Sequence, residues 1–141
     1  MRCTDTHDLA ADAGDARIER TWGPRRAACG LALSFALDGV PMLWMGQEIG
    51  WHGRYSIFGP TPIDWKNPPD PGRPALIRRL TALKREPAFG AKGEVIWLTP
   101  DEPDVEVLFL RRAPDGTTYR CFFNCATGDW SIAQVVSNDR K

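Results

Sequence analysis

The sequence predicts a chain of two textures, α/β over residues 1–89 and all-β over residues 90–141. Three observations carry this. Before Gly90 the apolar residues fall at helical spacing or in one short continuous run. After Gly90 they fall in four short alternating runs. Between the second and third of those runs, Ala113-Pro114-Asp115-Gly116 has the Pro, Asp and Gly chemistry of a tight turn.

Composition sets the outer limits. Hydrophobic residues make up 43% of the chain and six are Trp, which is globular rather than disordered composition. Eighteen basic and eighteen acidic side chains cancel to a formal net charge of +0. No global field draws in nucleic acid or an anionic membrane, so neither is expected as a partner. The cysteines Cys3, Cys29, Cys121 and Cys125 form no C-x-x-C, and His7 and His52 are the only histidines, so no metal site is expected. Cys121 and Cys125 sit four residues apart along extended chain, too far for a disulfide, and four free thiols are expected. Residues 1–5 lack the apolar run of a signal peptide, and no later run approaches membrane-spanning length. A chain starting at Met1 is therefore expected in the cytoplasm.

In order, residues 1–6 form a short segment leading into His7-Asp8, and residues 9–15 read as an acidic, small-residue loop. Residues 17–22 suit a short helical turn. Gly23-Pro24 then supplies a helix start, with Pro where its missing N–H costs nothing. Residues 25–37 are apolar on nearly every side, so this helix must be covered on most of its surface. Asp38-Gly39 ends it, and residues 41–45 read as a buried strand. The interval between the segment at residues 1–6 and this strand is about thirty-five residues, the size of a crossover joining two parallel strands. Two strands and one crossover cannot cover both faces of a parallel sheet, so this half is incomplete by itself.

Residues 46–73 are long and irregular, rich in Gly and Pro, with Trp51, Tyr55, Phe58 and Trp65 arguing for order. From Pro74 to Lys84 an amphipathic helix carries Leu76, Ile77, Leu80 and Leu83 on one stripe, and Glu86-Pro87 stops it. Residues 88–92 form the boundary. The runs at residues 94–98, 105–111, 119–124 and 130–136 are then four strands, the middle two an antiparallel hairpin.

The chemistry-bearing stretch is Gly39-Val40-Pro41-Met42-Leu43-Trp44-Met45-Gly46-Gln47-Glu48-Ile49-Gly50, an apolar run that ends in an amide and a carboxylate between two glycines. It resembles the segment G-x-P-x-x-Y-x-G-x-E at the last barrel strand of the α-amylase family of glycoside hydrolases, family 13, with Trp44 where that family has an aromatic residue. Thr6-His7-Asp8 resembles the Asn-His-Asp signature one strand earlier, with Thr6 in place of Asn. Ile63-Asp64-Trp65 resembles a segment after the barrel, and residues 75–85 resemble the helix that follows. These matches run collinearly over about eighty residues, between Thr6 and Phe89.

The resemblance implies a partial (β/α)8 barrel, its last two β/α units, followed by a small antiparallel β-sandwich-like domain. A whole barrel needs about 250 residues, more than this chain has. The implied parent reaction is retaining hydrolysis or transfer at α-glucosidic bonds of starch, maltooligosaccharides or related glucans. Asp8 would match the carboxylate that stabilises the oxocarbenium-like transition state, and His7 the ligand to the sugar hydroxyls. Arg17, Trp51 and Tyr55 are the further candidate substrate ligands. Thr6, Gln47 and Glu48 would support the site. No cofactor is implied. The nucleophile and the general acid/base of such enzymes, about 5 Å apart, come from earlier strands, so the chain alone is expected to be inactive and to need the remaining barrel as its partner. An alternative is a noncatalytic sugar-binding or interaction module built on Trp51, Tyr55 and Trp65. A third is a truncated product without a function of its own.

Overall fold

The computed structural model describes residues 1–6, 17–54, 56, 58–99 and 105–136. His7, Asp8 and Tyr55, together with the expected loop at residues 9–15, lie outside the described residues.

Among the described residues three helices precede one sheet. Helix α1 (Ile18–Thr21) is a single turn, followed by α2 (Gly23–Ala36) and α3 (Arg73–Lys84). A 3-10 turn at Gln47–Ile49 lies between α2 and α3, and another at Pro87–Phe89 leads into the sheet. Strands β1 (Glu94–Trp97), β2 (Glu106–Arg112), β3 (Thr118–Asn124) and β4 (Asp129–Gln134) make an antiparallel meander in the order β1-β2-β3-β4. All four expected strands are present, with ends shifted by one or two residues. The turn at residues 113–116 closes the β2–β3 hairpin through Gly116 N to Ala113 O at 2.9 Å and Ala113 N to Thr117 O at 2.8 Å.

The small residues of α2 explain its burial. Ala27, Cys29, Gly30, Leu31, Ala32, Ser34, Phe35 and Ala36 are all buried, as its nearly all-round apolar sequence requires. At Gly30 an added Cβ would lie 3.3 Å from the Thr4 side chain and 3.4 Å from Ile18, so the missing side chain lets residue 4 and α1 come close. The stripe of α3 is used too: Leu80 is buried, and Leu76, Ile77 and Leu83 pack against the same cluster.

That cluster is shared between helices and sheet. Leu31, Phe35 and Leu80 meet Phe109, Cys121 and Phe123 from the inner sheet face. Trp97, Phe109, Phe123 and Trp130, one from each strand, form a row with ring centroids 5.1, 5.9 and 6.4 Å apart in succession. On the same face Arg111 is fully buried, its guanidinium 5.6 Å from the Phe89 ring and its Nε donating to Ala88 O at 2.8 Å. The boundary segment is thus fastened to the sheet by a buried cation.

The expected strand at residues 41–45 is reduced to a single bridge. Arg2 pairs parallel with Pro41, through Arg2 N to Val40 O at 2.8 Å and Met42 N to Arg2 O at 2.7 Å. A local feature stops the ladder there: the Trp44 N–H, the next donor on that side, is taken by the Gln47 side chain at 2.8 Å. Pairing of residues 1–6 with this segment is parallel, as the crossover length suggested. The described residues show one parallel bridge, a few helices and a small β-domain.

A buried ion pair braces the helices. Arg73 Nη1 lies 3.0 Å from Glu19 Oε1, with both side chains almost wholly buried, and Arg73 Nε also contacts Asp70 at 3.1 Å. Removing one partner of such a pair strands the other without solvent. Arg73→Met is therefore expected to lower the unfolding free energy by about 3–5 kcal/mol, measured by urea denaturation. The double change with Glu19→Leu should recover much of the loss, and equal losses in the single and double variants would contradict the coupling.

Candidate functional site

The site is built on the polar turn at residues 46–50. Gly46 takes φ +93°, and a Cβ there would lie 3.0 Å from the Trp51 side chain, so both the turn and the contact need glycine. Trp51 folds back over it, its backbone N donating to Gly46 O at 2.9 Å. Gly50, at φ +68°, ends the turn, and Asp70 N donates to Ile49 O at 3.1 Å, joining the turn to the entrance of α3.

Gln47 is fully buried and uses both ends of its amide. Its Oε1 accepts from Trp44 N, and its Nε2 donates to Thr4 Oγ1 at 3.0 Å. Glu48 accepts from Gly46 N at 2.9 Å through Oε2. The turn is therefore held from within by two of its own side chains. The parallel bridge makes residues 2 and 41 neighbours, and the Gln47–Thr4 bond joins the segments again downstream. Both chains run the same way, so Thr6 and the residues 46–48 follow from one end of the pair.

Arg17 departs from the solvated position usual for an arginine. It is 1% exposed, its Nη1 donates to Met45 O at 3.1 Å, and its guanidinium lies 5.0 Å from the Trp51 ring centroid. Its Nη2 is 3.4 Å from Asp5 Oδ2, and Asp5 is fully buried. Burial pushes the Asp5 carboxyl above its ordinary 3.8, against the lowering effects of the Arg17 charge and of a backbone hydrogen bond at Thr6. Burial also raises Glu19, opposed by its backbone hydrogen bond and by Arg73. Arg17 and Trp51, both candidate sugar ligands, thus meet in one stack against the turn. Trp65, by contrast, is 51% exposed, and Phe58 is 95% exposed.

Asp5 is the residue that reading the sequence missed. It was one acid among several near His7-Asp8, and nothing in its spacing announced the partnership with Arg17, which forms only in the folded chain. Among the described residues no group of three His, Cys, Asp or Glu could hold a metal ion. None of the described residues forms a helix long and apolar enough to cross a membrane. A groove of about 580 Å³ between α3 and the sheet, lined by residues that include Arg79, Tyr119 and Trp130, contains none of the candidate residues.

Comparison with known proteins gives one relative. The chain is 34% identical, over 103 residues, to the 1,4-alpha-glucan branching enzyme GlgB of Nocardia farcinica (strain IFM 10152). The match takes in 67% of this chain and 14% of the relative. The chain therefore spans a small part of the length of the protein it matches. No family model and no solved structure matches the chain.

The Asp5 environment has a pH signature. A carboxyl whose pKa is raised on folding binds its proton more tightly in the folded state, so stability falls as pH climbs from the ordinary value through the raised one. The Asp5 contribution to the unfolding free energy is expected to decline as pH rises above 3.8, and Asp5→Asn should remove that contribution from the pH slope. Chemical denaturation at a series of pH values gives the slope; an unchanged slope in Asp5→Asn would assign the pH dependence elsewhere.

Proposed function

We propose that this chain supplies one side of the substrate site of an α-glucan-acting glycoside hydrolase or transglycosidase, and that it does no chemistry by itself. One observation carries the reading. The segment that leads into His7-Asp8 and the Gly46–Gly50 turn are bonded side by side, in parallel, by the Arg2–Pro41 bridge and the Gln47–Thr4 hydrogen bond. That is the arrangement expected if both segments present groups at one end of a sheet, as barrel enzymes do at the C-terminal ends of their strands. The similarity to a protein named as a 1,4-alpha-glucan branching enzyme points to the same substrate class.

In this reading Asp8 is the fixed anion that favours the positive charge developing on the sugar, and His7 binds the hydroxyls beside it. Thr6, Gln47 and Glu48 hold the rim, Trp51 and Tyr55 extend it, and the buried Arg17 packs on Trp51. Between hydrolysis and transfer, the relative's name favours transfer. The nucleophile and the general acid/base belong to parts of the barrel other than these residues, so the chain requires them as partners. A sugar-binding module remains a second reading, favoured by the half-exposed Trp65.

Incubation of the chain with amylose or maltooligosaccharides is expected to release no reducing ends and to form no new branch points. Turnover that disappears in Asp8→Asn would overturn the proposed inactivity while supporting the role of Asp8. Turnover unaffected by Asp8→Asn would overturn both.

A further inference from the structure

We propose that Cys29 and Cys125 are a redox-active pair, a modification site at which a low-molecular-weight disulfide drives formation of a protein disulfide that staples α2 to the turn between β3 and β4. The four cysteines are free thiols, and these two come from opposite halves of the chain. The neighbouring Cys125 is among the groups that act on the Cys29 thiol. The Cys29 sulfur also lies 3.8 Å from the carbonyl oxygens of both Asn124 and Asp129, which flank the turn.

The surroundings hold the two sulfurs together. One turn before Cys29 on the same helix, Arg26 Nε donates to Cys125 O at 2.8 Å. Arg25 pairs with Asp129 across the same junction. The turn's Gly128 is so close to α2 that an added Cβ would lie 2.9 Å from the Arg25 backbone. Helix and turn are thus in backbone contact at the junction that carries both cysteines. The other thiols are placed differently: Cys3 is exposed near the N-terminus, and Cys121 is buried on the inner sheet face.

The two sulfurs divide the chemistry by access. Cys125 is partly exposed and Cys29 is buried. With glutathione disulfide as oxidant, the Cys125 thiolate attacks one of its sulfurs, the oxidant's S–S bond breaks, and one glutathione thiolate leaves and takes up a proton. The Cys29 thiolate then attacks Cys125 Sγ in the mixed disulfide and expels the second glutathione, which is also protonated. Two electrons pass from the protein thiols to the oxidant, and both protein thiol protons end on glutathione. Burial, and then the neighbouring Cys125, push the Cys29 thiol up to about 11, so at neutral pH its attack is the slower step.

The test is made on the full chain, equilibrated with glutathione buffers of rising oxidised fraction, alkylated, and mapped by mass spectrometry without reduction. The expected result is a Cys29–Cys125 cross-linked peptide, about 2 Da lighter than the summed thiol peptides because two hydrogens are lost. After rapid formation of the mixed disulfide, the cross-link should form about tenfold faster per pH unit between pH 7 and 9, tracking the thiolate fraction of Cys29. The wild-type chain gives the main readout, so no core variant needs to fold. Cys3→Ser, at an exposed position, removes intermolecular pairing and should leave the cross-link intact. Arrest at a Cys125–glutathione adduct, a cross-link from Cys125 to Cys3, or a rate independent of pH would each overturn the proposal.

Discussion

The amide of Gln47 is the contact on which the candidate site depends. A buried primary amide must satisfy both its donor and its acceptor, and this one does so across two segments far apart in sequence, taking Trp44 N on one side and Thr4 Oγ1 on the other. Because the same amide occupies the Trp44 N–H, it also ends the backbone ladder after Met42. Ladder termination and turn formation are one event. A leucine in its place would leave a backbone donor and a hydroxyl without the amide in a closed space, at a cost of about 1–3 kcal/mol for each buried group left unsatisfied.

Around that amide the molecule concentrates charge where solvent is excluded. Arg17, Asp5, Glu19 and Arg73 are all buried, and each is held by a partner from another part of the chain. Pairs of this kind add little net stability over a well-packed apolar core, but breaking one is costly. Their effect here is positional: Arg17 fixes Met45 and Trp51, and Arg73 fixes α1 to the entrance of α3. The apolar core sets how the helices lie on the sheet, and the ion pairs set how the polar turn lies on the helices.

Much of the fold could be read in the sequence because its signals are local. Alternation gave the four strands, Pro114-Asp115-Gly116 gave the hairpin, and Gly23-Pro24 and the Leu76–Leu83 stripe gave the two long helices. The strand expected at residues 41–45 is a single bridge. A run of Pro, Met, Leu, Trp and Met is as apolar as a strand, but periodicity does not report that a side-chain amide four residues after Leu43 takes the next backbone donor. The buried partnerships of Arg17 with Asp5 and of Arg73 with Glu19 are invisible in the sequence for a related reason. They join residues 12 and 54 positions apart whose types, read singly, belong on a surface.

In the proposed reading residues 4–6 and 44–50 form one continuous rim for an α-glucan. Its most direct test is a backbone amide NMR titration of the chain with maltooligosaccharides. The expected result is saturable shifts that cluster at residues 4–8, 17 and 44–51 and that vanish from both segments together in Gln47→Leu. Shifts confined to Trp65 and its neighbours, or to only one of the two segments, would contradict it.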